Sequence, residues 1–181
     1  EQPVGFNVLG ASSELEKQVL ASDLVGVFKR LSTSWGDTMD AVLSNAVLPI
    51  LEHPHGGTLL HLRRFLIEER YRAEFLSVIT DEEVQFFWKK EWPLIGARSI
   101  GPILTRLNTF LRPKLVRRVV GQEHAKLDLG AVIAEKRIFL GRLSQGLIGN
   151  ENAYLLGSLL TTKILQLALS RQRLPKEKRL P

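Results

Sequence analysis

Basic residues are the side chains whose spacing most clearly suggests chemistry in this sequence. The stretch from residue 98 to residue 118 contains no Asp or Glu, and its cations are Arg98, Arg106, Arg112, Lys114, Arg117 and Arg118. It carries +6, which equals the formal net charge of the whole 181-residue chain. Lys and Arg side chains contact nucleic-acid phosphates without reading the bases. The sequence therefore predicts a phosphate-contacting surface, with a solvated face of two short helices as the alternative.

Patterns for catalysis or metal binding are weak. Three histidines lie close together, at His53, His55 and His61, but a proline and two glycines separate them and the chain has no Cys. Zinc sites normally need three or four fixed ligands, so a solvated turn is the favoured interpretation. Three glycine pairs have the spacing of a phosphate-binding loop, but none is followed by the Lys that such a loop requires. We predict no catalytic residue and no metal site.

The overall composition is that of a globular chain. Hydrophobic residues make up 44% of the sequence, which is too much for wholesale disorder. The absence of Cys excludes disulfides, cysteine–zinc sites and thiol catalysis. No run of 18 or more uncharged apolar residues occurs, and nothing at the start resembles a secretory signal. We expect a cytoplasmic location and no membrane span.

Apolar residues recur at helical spacing through residues 14–121. This periodicity predicts a bundle-like domain of about seven helices. Thr58 is suited to begin the third helix, and Thr80 with Glu83 forms a capping-box pattern before the fifth. The predicted fold class is accordingly mainly α.

The sequence changes character near residue 128. Asp128 is suited to cap a short helix, and residues 137–143 form a β-prone run that predicts a strand, followed by a long final helix. A lone strand leaves its backbone hydrogen-bonding groups unpaired. The missing partner must be either the opening segment or sequence outside this chain. We expect the chain to be a piece of a larger protein, with a small α/β part beside the helical domain.

The same C-terminal region has the most distinctive local sequence. It runs through residues 136–146, 149–153 and 155–160. This strand–loop–helix sequence resembles the type IV secretion and conjugative coupling ATPases of the HerA–FtsK superfamily. More diffuse likenesses lie at residues 3–9, 34–37, 43–46, 57–60, 86–93 and 102–107.

The resemblance implies a division of the chain into three parts. Residues 1–13 correspond to a core-entry segment, residues 14–121 to the helical all-α domain, and residues 128–181 to part of a RecA-like core. Such ATPases form hexameric rings that couple ATP hydrolysis to the movement of DNA or protein–DNA substrates. This chain lacks the Lys-bearing loop and the acidic strand of the nucleotide site. ATP and magnesium are therefore implied only for a parent protein, a homohexamer in the cytoplasm or at the inner face of the cell membrane.

Two functions remain open for the helical domain. In the first, the cations of residues 98–118 contact DNA. In the second, the domain docks a relaxase, an effector or an adaptor protein through an apolar groove between helices. Arg142 stands where the family often has Asn. It is a candidate for a charge that faces the nucleotide of a neighbouring subunit, and a salt-bridged residue at the core edge is the alternative.

Overall fold

The computed structural model is built of α-helices. It describes residues 3–11, 14–30, 32, 34–95, 99–124, 126–173 and 175. The first seven helices are α1 (Glu14–Arg30), α2 (Asp37–Glu52), α3 (Leu59–Ile67), α4 (Glu69–Leu76), α5 (Glu82–Phe86, continued by a π-helical turn Phe87–Glu91 and by Trp92–Ile95), α6 (Ile100–Leu111) and α7 (Lys114–Val120). Three more follow: α8 (Leu129–Ala134), α9 (Gln145–Ile148) and α10 (Asn150–Ser170). The prediction of a mainly helical chain is confirmed.

Helical periodicity succeeded because one face of each long helix is buried. On α2, Val42, Leu43, Val47 and Ile50 are completely buried. Ala46 is completely buried as well. Each of these five residues lies three or four positions from another, so together they form one side of a helix with 3.6 residues per turn. Burial of this stripe, rather than intrinsic helix propensity, is the main source of helix stability.

Two helix starts test the capping predictions. Thr58 caps α3, since its hydroxyl oxygen accepts from the Leu60 N–H at 3.2 Å. Asp81, not Thr80, caps α5, because its carboxylate accepts from the backbone N–H groups of Glu83 and Val84 at 2.9 and 3.2 Å. An Asp carboxylate is a strong N-cap and also interacts favourably with the positive end of the helix dipole. The predicted cap was therefore one residue early.

An aromatic cluster lies at the centre of the bundle. The Phe65 ring meets the Trp88 ring edge-on with centroids 5.0 Å apart, and it meets the Phe75 ring edge-on at 6.1 Å. The Trp88 indole N–H donates to the Asn45 carbonyl at 2.8 Å, which satisfies the polar atom of this buried side chain. The cluster joins α2, α3, α4 and α5.

The opening segment packs into the bundle. The Phe6 N–H donates to the Val119 carbonyl at 2.8 Å, and the Leu127 N–H donates to the Gly5 carbonyl at 3.3 Å. The Asn7 side-chain amide donates to the Gly57 carbonyl at 3.0 Å. These bonds tie the segment to the end of α7, to the loop after α7 and to the loop before α3. The opening segment therefore does not supply the missing partner for residues 137–143.

The predicted strand at residues 137–143 is wrong for the described part of the chain, which contains no β-strand. The Arg137 N–H donates to the Val132 carbonyl at 2.9 Å and closes the end of α8. Residues 138–143 form no backbone hydrogen bond with any described residue. The physical reason is that a strand exists only when a neighbouring strand accepts its hydrogen bonds.

Helix α10 is anchored against α1. The Lys163 ammonium group donates to the Glu16 carboxylate at 2.7 Å and to the Gly10 carbonyl at 2.6 Å. The Gln166 side-chain amide donates to the Asp23 carboxylate at 2.7 Å. Buried residues of α10 belong to the same hydrophobic core as those of α1 and α2. The three-part division of the chain stays a prediction, but its second and third parts share this core.

Among the described helices, α10 alone has the length and hydropathy of a membrane-crossing segment. The same length and composition occur in core helices of soluble proteins, so this property alone assigns no location.

Candidate nucleic-acid interface

Helix α7 separates its apolar and cationic side chains. Val116 and Val120 are buried against the core. Lys114, Arg117 and Arg118 are exposed, and their spacing of three and four residues puts them on one face of the helix. Packing of the valines therefore turns three cations outward together.

Arg112 extends this cationic face. It is exposed in the short turn between α6 and α7, where Pro113 precedes the first residue of α7. We call Arg112, Lys114, Arg117 and Arg118 the basic corner. Pro113 breaks the helical register between α6 and α7, so this grouping depends on the turn and not on a continuous helix.

The four cations of the basic corner differ in their partners. The Arg117 guanidinium donates to the carbonyls of Leu111 and Arg112 at 2.9 and 2.6 Å. It therefore satisfies carbonyl groups at the C-terminal end of α6, where a positive charge is favourable. Arg112, Lys114 and Arg118 form no ion pair with any residue that the structure describes. These three side chains remain available for an anion.

Arg106 lies in a different place. Its guanidinium donates to the Pro102 carbonyl at 3.2 Å and lies 6.0 Å from the centre of the Trp35 ring. It lines a cleft of about 480 Å³ together with Tyr154 and residues at the start of α10, and this cleft includes no residue of the basic corner. Arg98 is outside the described residues.

Trp35 next to this cleft is held by a polar network. Its indole N–H donates to the Asp40 carboxylate at 2.5 Å, and the Lys29 ammonium group donates to the same carboxylate at 2.7 Å. The hydrogen bond from Lys29 is the largest influence on the pKa of Asp40 and lowers it below its usual value. Partial desolvation raises the pKa, and the hydrogen bond from Trp35 opposes that increase. Asp40 is therefore charged at neutral pH and fixes the Trp35 ring beside Arg106.

Arg142 lies on the exposed segment after α8. It lines an apolar groove of about 660 Å³ whose walls include Leu115, Val119 and Leu140. Its side chain is exposed and forms no ion pair within the described part of the chain. The salt-bridged interpretation of Arg142 therefore finds no partner there, and its position relative to a nucleotide stays a prediction.

Two of the three neighbouring histidines, His53 and His61, have structural partners. His61 Nδ1 accepts from the Thr58 N–H at 3.0 Å, and its Nε2 lies 3.2 Å from the Glu123 carboxylate. The His53 ring packs against the Phe75 ring, with centroids 4.4 Å apart. Both nitrogens of His61 are thus engaged in helix capping and in a contact with the following loop.

The described residues also do not form a site that fits the ATP and magnesium implied for the parent protein. No group of three or more His, Cys, Asp or Glu side chains within the described ranges is arranged to hold a metal ion. None of the glycine pairs is followed by Lys. No nucleotide chemistry follows from this part of the chain.

No protein-family model matches the chain, and searches of curated proteins and of solved structures gave no significant match.

Sequence reasoning found the cations but not their grouping. It treated residues 98–118 as one stretch, whereas the described part places Arg106 in a separate cleft and commits Arg117 to helix carbonyls. The spacing of Lys114, Arg117 and Arg118 is the signal that could have identified the outward face of α7. The sequence indicates the groove beside Arg142 less clearly. The only pattern that points to it is the alternation of apolar residues around residues 138–143.

Proposed function

We propose that the chain is the helical, substrate-contacting domain of a hexameric DNA-translocating ATPase of the conjugation or type IV secretion kind. In this proposal the basic corner contacts DNA phosphates, and the chain itself hydrolyses no nucleotide. The observation that supports DNA contact is the group of exposed cations at the start of α7. None of its four members has a carboxylate partner among the described residues, and all but Arg117 also make no side-chain hydrogen bond there.

The chemistry of the basic corner favours phosphate over base recognition. Its members are Arg and Lys side chains on a convex helix and turn, without an exposed aromatic residue or amide on the same face of α7. Binding should therefore be independent of DNA sequence and strongly dependent on salt, because each neutralised phosphate releases condensed counterions.

Fluorescence anisotropy with labelled duplex DNA tests this proposal. The double variant Lys114→Gln with Arg118→Gln should weaken binding about tenfold or more at low salt. It should also reduce the slope of log affinity against log salt by about 0.9 for each lost phosphate contact. Two duplexes of unrelated sequence should give equal affinities.

The matched control removes two charges elsewhere. Lys89 and Lys90 are adjacent exposed cations on the π-helical turn of α5. The variant Lys89→Gln with Lys90→Gln should keep both the affinity and the salt slope of the parent chain. An equal loss in both double variants, or no binding by the parent chain at low salt, would contradict direct contact by the basic corner.

A second function, docking of a relaxase, effector or adaptor protein, is favoured by the apolar groove beside Arg142. Val4, Leu140 and Leu147 line this groove and are exposed. Contiguous exposed apolar surface of this kind is typical of protein interaction sites. Binding of a purified relaxase that persists at high salt and is lost in Leu140→Ser with Leu147→Ser would support this function. Binding lost at high salt would count against it.

A further inference from the structure

Residues 138–143 have an unusual backbone. The chain is not helical here, and none of its N–H or C=O groups bonds to another described residue. The segment is nevertheless held at both ends. The Arg137 N–H bonds to α8, and the Ser144 carbonyl accepts from the Leu147 N–H at 3.0 Å in α9. We call residues 138–143 the open strand, because it presents a row of unpaired backbone groups between two fixed points.

The side chains of the open strand alternate as in a β-strand. Phe139 and Leu143 pack against the hydrophobic core. Between and beside them, Ile138 and Leu140 are 88% and 89% exposed. Successive side chains of a strand point to opposite faces, so one face is already buried against the bundle. The other carries two large apolar side chains in solvent.

From these observations we infer that the open strand binds one β-strand of a partner protein by strand addition. Unpaired N–H and C=O groups along an edge match another extended backbone, whose groups occur at the same repeat. A helix cannot match them, because its backbone groups are already bonded within the helix. The occupant is therefore an extended segment, and apolar side chains at alternate positions would cover Ile138 and Leu140.

The charges beside the open strand specify the occupant further. Arg137 is paired with Glu135, whereas Arg142 has no carboxylate partner among the described residues. Opposite charges on directly facing residues of neighbouring strands stabilise the pair. The partner strand therefore carries an Asp or Glu opposite Arg142. This inference rests on the proposed docking function and names its partner as an apolar β-strand with a carboxylate. It is independent of DNA contact by the basic corner.

A synthetic peptide is the direct probe. It alternates Val and Thr, carries one Glu, and is capped at both ends. Its control has the same sequence with N-methyl groups on alternate amides, which removes the donors that pair with a strand. Hydrogen exchange should slow by at least about tenfold at alternate amides within residues 138–143 with the unmodified peptide, because one added strand bonds every second N–H group. The N-methylated peptide should give no protection. Equal binding of both peptides, or binding without protection at these amides, would overturn the inference.

Variants of the chain test the same contact from the other side. Leu140→Pro removes one backbone N–H at an exposed side chain and should abolish peptide binding. Leu140→Thr should weaken binding several-fold, and Leu94→Thr, at an equally exposed Leu on α5, should leave it unchanged. Circular dichroism of each variant checks that the helices are retained. Arg142→Glu should weaken binding of the peptide that carries Glu and strengthen binding of a matched peptide that carries Lys. Identical behaviour of Leu140→Thr and Leu94→Thr would refute the assigned position.

Two other outcomes separate the inference from the docking function itself. An apolar helical peptide that binds the groove without protecting residues 138–143 would refute strand addition and leave docking intact. A concentration-dependent dimer of the free chain that Leu140→Pro abolishes would make a second copy the occupant, which also overturns the inference. Loss of DNA binding in the basic-corner variant, with peptide binding unchanged, is the expected result.

Discussion

The aromatic centre around Phe65 and the open strand at residues 138–143 contain similar apolar residues in opposite surroundings. Phe65 is completely buried and contacts two aromatic rings edge-on, whereas Leu140 is 89% exposed. The difference does not come from the residues themselves, since each stretch is apolar. It comes from the neighbours that the fold supplies. The centre is therefore suited to stability, and in our proposal the open strand provides a surface for binding.

Truncation of one residue from each region is the sharpest test of this comparison. Phe65→Ala should lower the free energy of unfolding by about 3–5 kcal/mol, because it removes buried contacts and leaves a cavity. Leu140→Ala should change it by no more than about 0.5 kcal/mol, since its side chain is in solvent. Urea unfolding followed by circular dichroism measures both. Similar losses in the two variants would show that the open strand is packed in solution.

The attachment of α10 tests whether the region around the open strand is firmly joined to the helical centre. Lys163→Ala should lower the free energy of unfolding by about 1–3 kcal/mol, because it leaves the partly buried Glu16 carboxylate without this partner. Lys126→Ala, at an exposed position, is the control and should be neutral. Should both variants unfold at the same urea concentration as the parent, the contact between α1 and α10 contributes nothing to stability.

The N-caps of α5, which belongs to the aromatic centre, and of α8, which precedes the open strand, have the same chemistry. Asp128 caps α8, with its carboxylate accepting from the Ala131 N–H at 2.9 Å, and Asp81 caps α5 in the same way. Each change to Ala should cost about 1 kcal/mol. Hydrogen exchange should accelerate in α8 only for Asp128→Ala and in α5 only for Asp81→Ala. Acceleration of both helices by either change would mean that the two regions unfold as one unit.

The smallest expected effect concerns pH. Burial, followed by the nearby His55 and His61 charges, lowers the pKa of His53. The unfolded chain therefore takes up this proton at a higher pH than the folded chain does. Stability should fall as pH decreases below about 6.5. His53→Gln should flatten the dependence of the melting temperature on pH between about 7.5 and about 5.5. An unchanged slope would show that His53 does not contribute.

The helices were predictable because their signal is local. The apolar stripe of α2 and the caps at Thr58 and Asp128 depend on residues within a few positions of each other, and all three are confirmed. The α5 cap was misplaced by one residue because Thr80 and Asp81 are both acceptable N-cap residues. Only the direction of the entering chain decides between them.

The candidate site was only partly predictable. The outward face of α7 follows from the spacing of Lys114, Arg117 and Arg118. The hydrogen bonds from Arg117 to the end of α6 do not, because they depend on the angle that the turn at Pro113 imposes on the two helices. The position of Arg106 beside Trp35 likewise depends on how α2 packs near α6, which no local pattern encodes.

The sequence by itself determined the helical character of the chain, the concentration of cations in residues 98–118, and the strand-like alternation of residues 138–143. Tertiary structure decided which cations lie together and which are committed to carbonyl groups. It also decided that the strand-like segment has one buried face and an unpaired backbone. The reason is that helix hydrogen bonds close within a few residues, whereas strand pairing and ion pairing depend on groups that only the folded chain, or a partner, brings near.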